Sequence, residues 1–128
     1  MPFEIIAARE ALDRLCASRT RFDAVVACSD LLALQAVQAV RASGREVPRD
    51  VAVVGYDDMP LATYSDPPLT TVHQPIRRVG QRAVEMLVDA INSGTGAAEA
   101  KFETVPFRIV ERASAGQPRG HRAPSSAA

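Results

Sequence analysis

The stretch VAVVGYDDMP, residues 51–60, decides how the chain is read. Val51, Ala52, Val53 and Val54 followed by Gly55 predict a strand buried on both faces that ends in a turn. Two adjacent carboxylates, Asp57 and Asp58, then fall just past the strand's carboxyl end. In open parallel sheets that rim is where ligands bind. Spacing alone also fits a plainer role, in which both aspartates solvate the turn and cap the segment after it.

Around this strand, helix and strand patterns alternate. Residues 3–18, FEIIAAREALDRLCAS, predict a helix whose apolar stripe includes Ile5, Ala8, Leu12 and Leu15. FDAVVACS, residues 22–29, is a short β-rich run. Ser29 or Asp30 then caps a second helix that stops at Gly44. MPLATYSD is a turn or short helix closed by Pro67 and Pro68, and LTTVHQ, residues 69–74, is a third strand. Pro75 suits the first turn of a long helix carrying Ile76, Val79, Ala83, Val84, Leu87, Val88 and Ile91. KFETVPFRIVER, residues 101–112, supplies one or two further strands. From Ser114 the composition turns to Gly, Pro, Ser, Ala and Arg and predicts a disordered tail over residues 114–128. This order predicts an α/β domain built on a parallel sheet flanked by helices, thin for its class.

Composition narrows the function. The chain has 128 residues, 47% of them apolar and 23% charged, with 15 basic against 15 acidic side chains. A formal charge of zero favours neither nucleic acid nor a membrane surface. Cys16 and Cys28 are too few and too far apart for a metal or disulfide framework, and are expected to be reduced, packed thiols. No stretch is long enough to span a bilayer, and the start lacks the character of a signal peptide, so a cytoplasmic setting is expected.

No catalytic constellation is expected. A nucleophile needs an adjacent base and an orienting partner. The two histidines are His73, on a strand, and His121, in the expected tail, with no nucleophile elbow beside either. A receiver-domain reading of DDMP fails, because such domains keep their extra carboxylates on an earlier strand and need a lysine at a later strand end. A divalent cation would need several convergent oxygens beyond Asp57 and Asp58. Asp30 reads as a helix cap instead. No metal ligand and no cofactor is therefore expected.

The residues 27–91, ACSDLLALQAVQAVRASGREVPRDVAVVGYDDMPLATYSDPPLTTVHQPIRRVGQRAVEMLVDAI, carry a more specific signal. Their order of SD, LALQAV, VPRDVAVVGYDD, PPLTTVHQP and VGQRAVEML closely resembles the regulatory core of the lactose/galactose repressor (LacI/GalR) family. The resemblance covers roughly residues 22–114. It implies a type I periplasmic-binding-protein-like fold, of which residues 1–113 are the C-terminal part of the effector-binding domain. It also implies a homodimeric transcriptional regulator whose operator DNA is read by a separate helix-turn-helix domain. A small effector, usually a sugar or related metabolite, would bind between two subdomains.

Residue roles follow from the same resemblance. Asp57 stands where the family accepts hydrogen bonds from effector hydroxyl or amine groups. Ser29 stands where many members place an asparagine facing the ligand. Leu34 and Tyr64 fall at the expected dimer interface. Thr71, His73 and Gln74 lie on a crossover segment on which the subdomains hinge, and the helix over residues 76–93 is expected to pack on the partner subdomain. In its absence that helix should fold back on its own sheet or pair with a second copy. The rival reading is a solute-binding protein of a sugar transport system with the same fold.

Overall fold

The computed structural model describes residues 5–18, 20–94 and 102–116. Helix α1 (Ile5–Ala17) leads to strand β1 (Ala24–Val26), helix α2 (Asp30–Ala42), strand β2 (Ala52–Tyr56) and the short helix α3 (Pro60–Tyr64). Strand β3 (Thr70–His73), helix α4 (Ile76–Asn92), strand β4 (Arg108–Val110) and a 3-10 turn at Ala113–Ala115 complete it. The four strands and helices α1, α2 and α4 form where the apolar pattern predicts them, and the breaks fall at identifiable residues. Gly44 closes α2 in the left-handed region (φ +81°), and Pro60 opens α3.

The sheet runs β1-β2-β3-β4. The first three strands are parallel, with Val25 opposite Val53 and Gly55 opposite Thr71. The fourth is antiparallel to β3, with Val72 opposite Ile109, so the expected parallel sheet is in fact mixed. The physical reason is connectivity: α4 carries the chain away from the end of β3, and the chain re-enters beside the strand it left.

The core lies on one face only. Val51 and Val53 of the β2 segment meet Ala33, Ala36, Val37 and Val40 of α2, with Leu69 and Ala62 closing the cluster. Leu12 and Cys16 of α1 pack against it from outside α2. The expectation that β2 is buried on both faces is corrected. Its burial alternates, Val53 and Gly55 in and Ala52 and Val54 half-exposed. Across that second face Val26 is 80% and Ile109 60% exposed, because the helices that cover the sheet all pack on the other side. The expectation of two packed thiols also fails for Cys28, which is exposed beyond the end of β1.

The expected tail starts too early. Ser114 is fully buried, its hydroxyl donating to the Val53 carbonyl at 2.6 Å and accepting the Thr70 amide at 2.8 Å. It bridges β2 and β3 where their own ladder has not begun. Composition averaged over a window conceals one serine with such a role; residues 117–128 lie outside the described residues. Ser114→Ala removes that bridge and leaves two buried backbone groups unpaired, at a cost of about 1–3 kcal/mol. Urea unfolding should show the loss, whereas a tail residue would show none.

Helix α4 does not fold back on the sheet. None of its residues is buried, and Ile76, Val79, Val84, Leu87, Val88 and Ile91 are between 45% and 68% exposed. Its Arg82 reaches Glu103 on the returning chain at 2.7 Å. Burying such side chains is worth about 1.5–3 kcal/mol each, so the open stripe forgoes on the order of 5 kcal/mol or more. That is comparable to a whole domain's stability. The isolated chain is therefore expected to associate through this helix. Light scattering should give at least a dimer mass with residues 76–91 protected from hydrogen exchange; a clean monomer with that helix unprotected overturns the expectation.

Candidate functional site

Past the carboxyl end of β2 the backbone turns left-handed at two successive non-glycine residues, Asp57 (φ +106°) and Asp58 (φ +54°). Such conformations cost about 1–3 kcal/mol each and persist where surrounding bonds impose them. Three consecutive amides are held here. Asp57 N–H donates to the Val72 carbonyl at 3.0 Å, Asp58 N–H to Thr71 Oγ1 at 3.4 Å, and Met59 N–H to Asp30 Oδ2 at 2.7 Å. The turn thus projects one carboxylate away from the core and folds the other inward.

Asp57 is the outward one. Its Oδ1 accepts a hydrogen bond from Gln74 Nε2 at 2.9 Å. Both residues line an open cavity of about 730 Å³, with His73, Arg77 and Gln81 on its wall. An oriented carboxylate beside an amide and guanidinium groups suits a ligand rich in hydroxyl or amine groups.

Asp58 is the more withdrawn one, 13% exposed, at the inner wall of the same cavity. Its Oδ1 accepts from Arg112 Nη2 at 2.7 Å, and its Oδ2 lies 2.9 Å from His73 Nδ1. A carboxylate only accepts, so Nδ1 carries the hydrogen in that contact. Arg112 donates its other arm to the Leu69 carbonyl at 2.8 Å.

The other expected residues divide. Gln74 and His73, expected on the hinge segment, stand in the cavity wall against the two aspartates. Thr71 is fully buried and donates to Asp30 Oδ1 at 2.5 Å, a structural bond. Ser29 does not line the cavity; it sits on the same sheet rim and caps α2 by accepting the Leu32 amide at 3.3 Å. Leu34 is half-buried against the core, while Tyr64 is 87% exposed on α3. Asp30, read as a cap, instead reaches across to β3 and to the start of α3. Among the described residues no three His, Cys, Asp or Glu side chains cluster as metal ligands.

Arg112 was not legible as a site residue. It lies 54 positions from Asp58, among the polar residues of a chain end. The one available signal was the doubled aspartate: a second carboxylate drawn inward requires a buried cation.

Comparison with known proteins bears on this geometry. The periplasmic binding protein-like domain model matches residues 3–115. The HTH-type transcriptional regulator MalR of Streptomyces coelicolor (strain ATCC BAA-471 / A3(2) / M145) is 46% identical over 95 residues, 74% of this chain and 27% of its own. A solved complex of the transcriptional regulator CelR with cellobiose superposes with a TM-score of 0.77 at 38% identity, covering 88% of this chain and 34% of that one. The lac repressor dimer bound to operator and the anti-inducer ONPF superposes at 0.76 with 28% identity, covering 87% and 38%. The chain spans about a quarter of the length of the curated relatives it matches.

The Asp58 carboxyl is held below its ordinary range, chiefly by the Arg112 hydrogen bond, against burial, which raises it, and with help from His73. A carboxyl whose pKa is lower folded than unfolded stabilises the fold fully above the unfolded value, about 3.9. That contribution disappears as pH falls through the lower folded value. Asp58→Asn should therefore unfold more easily than wild type at neutral pH, by about 3 kcal/mol. Thermal melts at a series of pH values should show the gap closing as pH falls below the unfolded carboxyl value; a gap independent of pH would count against the ion pair.

Proposed function

The chain belongs to the LacI/GalR family of transcriptional regulators, and from that premise we propose that it senses a small effector for such a regulator. The observation that carries the reading is the Asp57 carboxylate, oriented by Gln74 and open to a cavity at the carboxyl rim of the sheet. Asp57 accepts hydrogen bonds from effector hydroxyl or amine groups, and Gln74 fixes which of its oxygens remains available. Ser29, on the adjacent strand end, adds a hydroxyl at the edge of the same rim.

The effector is a sugar or a related hydroxyl-rich metabolite, a reading supported by the cellobiose held by the relative CelR. The cavity is open on one side, and a second subdomain closes over the bound ligand. In the whole regulator the exposed surface near Leu34 and Tyr64 pairs two copies, as the lac repressor is paired in its operator complex. Operator DNA is bound by a helix-turn-helix domain outside this segment, in the cytoplasm. No catalytic step is assigned to any residue.

Charge-assisted hydrogen bonds to a carboxylate are worth about 1.5–3 kcal/mol. In the full-length regulator Asp57→Asn should therefore weaken effector binding about 10- to 100-fold while leaving operator affinity unchanged. Titration calorimetry with cellobiose and a panel of mono- and disaccharides identifies the effector on wild type, and then tests the variant. Unaltered affinity in Asp57→Asn would make Asp57 a turn residue only.

A further inference from the structure

The same turn supports a role for Asp58 beyond solvating a bend. Asp57 adopts φ +106°, yet its own side chain does nothing to impose that conformation; its carboxylate meets the Gln74 amide, on the cavity side. Beside the three held amides of the turn, a further constraint comes from the next residue. Asp58 is fastened at one oxygen to Arg112 and at the other to His73, and Arg112 is itself fastened in two further places. Its Nη1 donates to the Leu69 carbonyl at 2.8 Å, and its backbone N–H donates to Thr70 Oγ1 at 2.9 Å.

These bonds tie the turn to both strands that border the excursion of α4. His73 ends β3, from which the chain leaves, and Arg112 follows β4, on which it returns. The residue after His73 is Gln74, the partner of Asp57. One short array therefore fixes the backbone that aims Asp57 and the strand end that orients its carboxylate. We infer that Asp58 is a positioning residue: through Arg112 and His73 it holds Asp57 in its left-handed conformation and in register with Gln74. Its partner Arg112 is thereby a determinant of effector affinity without touching effector. The inference rests on reading Asp57 as the effector acceptor, but its test needs no effector.

Asp58→Asn is the informative change. Asparagine keeps the shape and tolerates the left-handed region, so the change is confined to the charge and to one acceptor oxygen, which becomes a donor. Arg112→Lys keeps the charge and loses the two-armed geometry. Amide exchange followed by NMR on the whole 128-residue chain reads the result. Each variant should speed exchange of the Asp57 N–H by about tenfold or more beyond whatever change it causes at the Val53 and Val40 amides, which report global unfolding. The Gln74 side-chain amide resonances should move in the same variants, and the double variant should go no further than either single one.

An Asp57 amide that stays slow overturns the proposal. So does exchange that quickens evenly across the sheet, which would make Asp58 a general stabiliser, and so do additive effects. If Asp58→Asn does not fold, Arg112→Lys alone decides between these outcomes by the same measurements. Loss of effector binding in Asp57→Asn is a separate result, so either reading can fail without the other.

Discussion

A single buried aspartate, Asp30, is the joint on which the architecture depends. It stands at the first position of α2, where a carboxylate complements the helix dipole. Its two oxygens are spent elsewhere, on the Thr71 hydroxyl of β3 and on the amide of Met59, the cap residue before α3. Three elements therefore meet on one side chain that is wholly withdrawn from solvent. Gly55 makes this possible, since a Cβ there would collide with Asp30 Oδ1 and press on Leu69 Cδ2. The glycine that ends the apolar run is thus less a turn former than the absence of a side chain, reserving space for a carboxylate from another element.

From that joint the site acquires its division of labour. With the Met59 amide held by Asp30, the two residues before it must bridge a short gap between β2 and α3, and they do so left-handed. Aspartate tolerates this conformation better than most residues. Adjacent residues in such a bend point their side chains in different directions, so identical carboxylates acquire different surroundings. Asp58 finds a guanidinium and an imidazole at the inner edge of the cavity, while Asp57 finds an amide and open space. Chemical identity in the sequence conceals this difference entirely.

How much could be read from the chain depends on the range of the interactions concerned. Helices, strands and their breaks rest on periodicity and on Gly44, Pro60 and Pro75, all signals within a turn or two. The run of residues 51–56 placed Asp57 at the rim for a similar reason, since it is contiguous. The antiparallel return of β4, the Arg112–Asp58 pair and the Ser114 bridge each join residues 35 to 61 positions apart. Nothing local marks them. Two readings went astray by treating composition as position: the tail that begins too early at Ser114, and the apolar strand β2 taken as covered on both sides.

The pairing of β3 with β4 has a mechanical consequence. The outgoing and returning passages run side by side at the edge of the sheet, joined from Thr71–Val110 through His73–Arg108, so they form a paired ribbon there rather than two separate tethers. Such a ribbon yields to twisting and to bending out of its plane, whereas spreading it sideways breaks interstrand hydrogen bonds. Whatever α4 carries is therefore held by paired backbone on both its outgoing and its returning passage. The two aspartates sit beside the ribbon's end, where a small angular change at the base becomes a large displacement farther out.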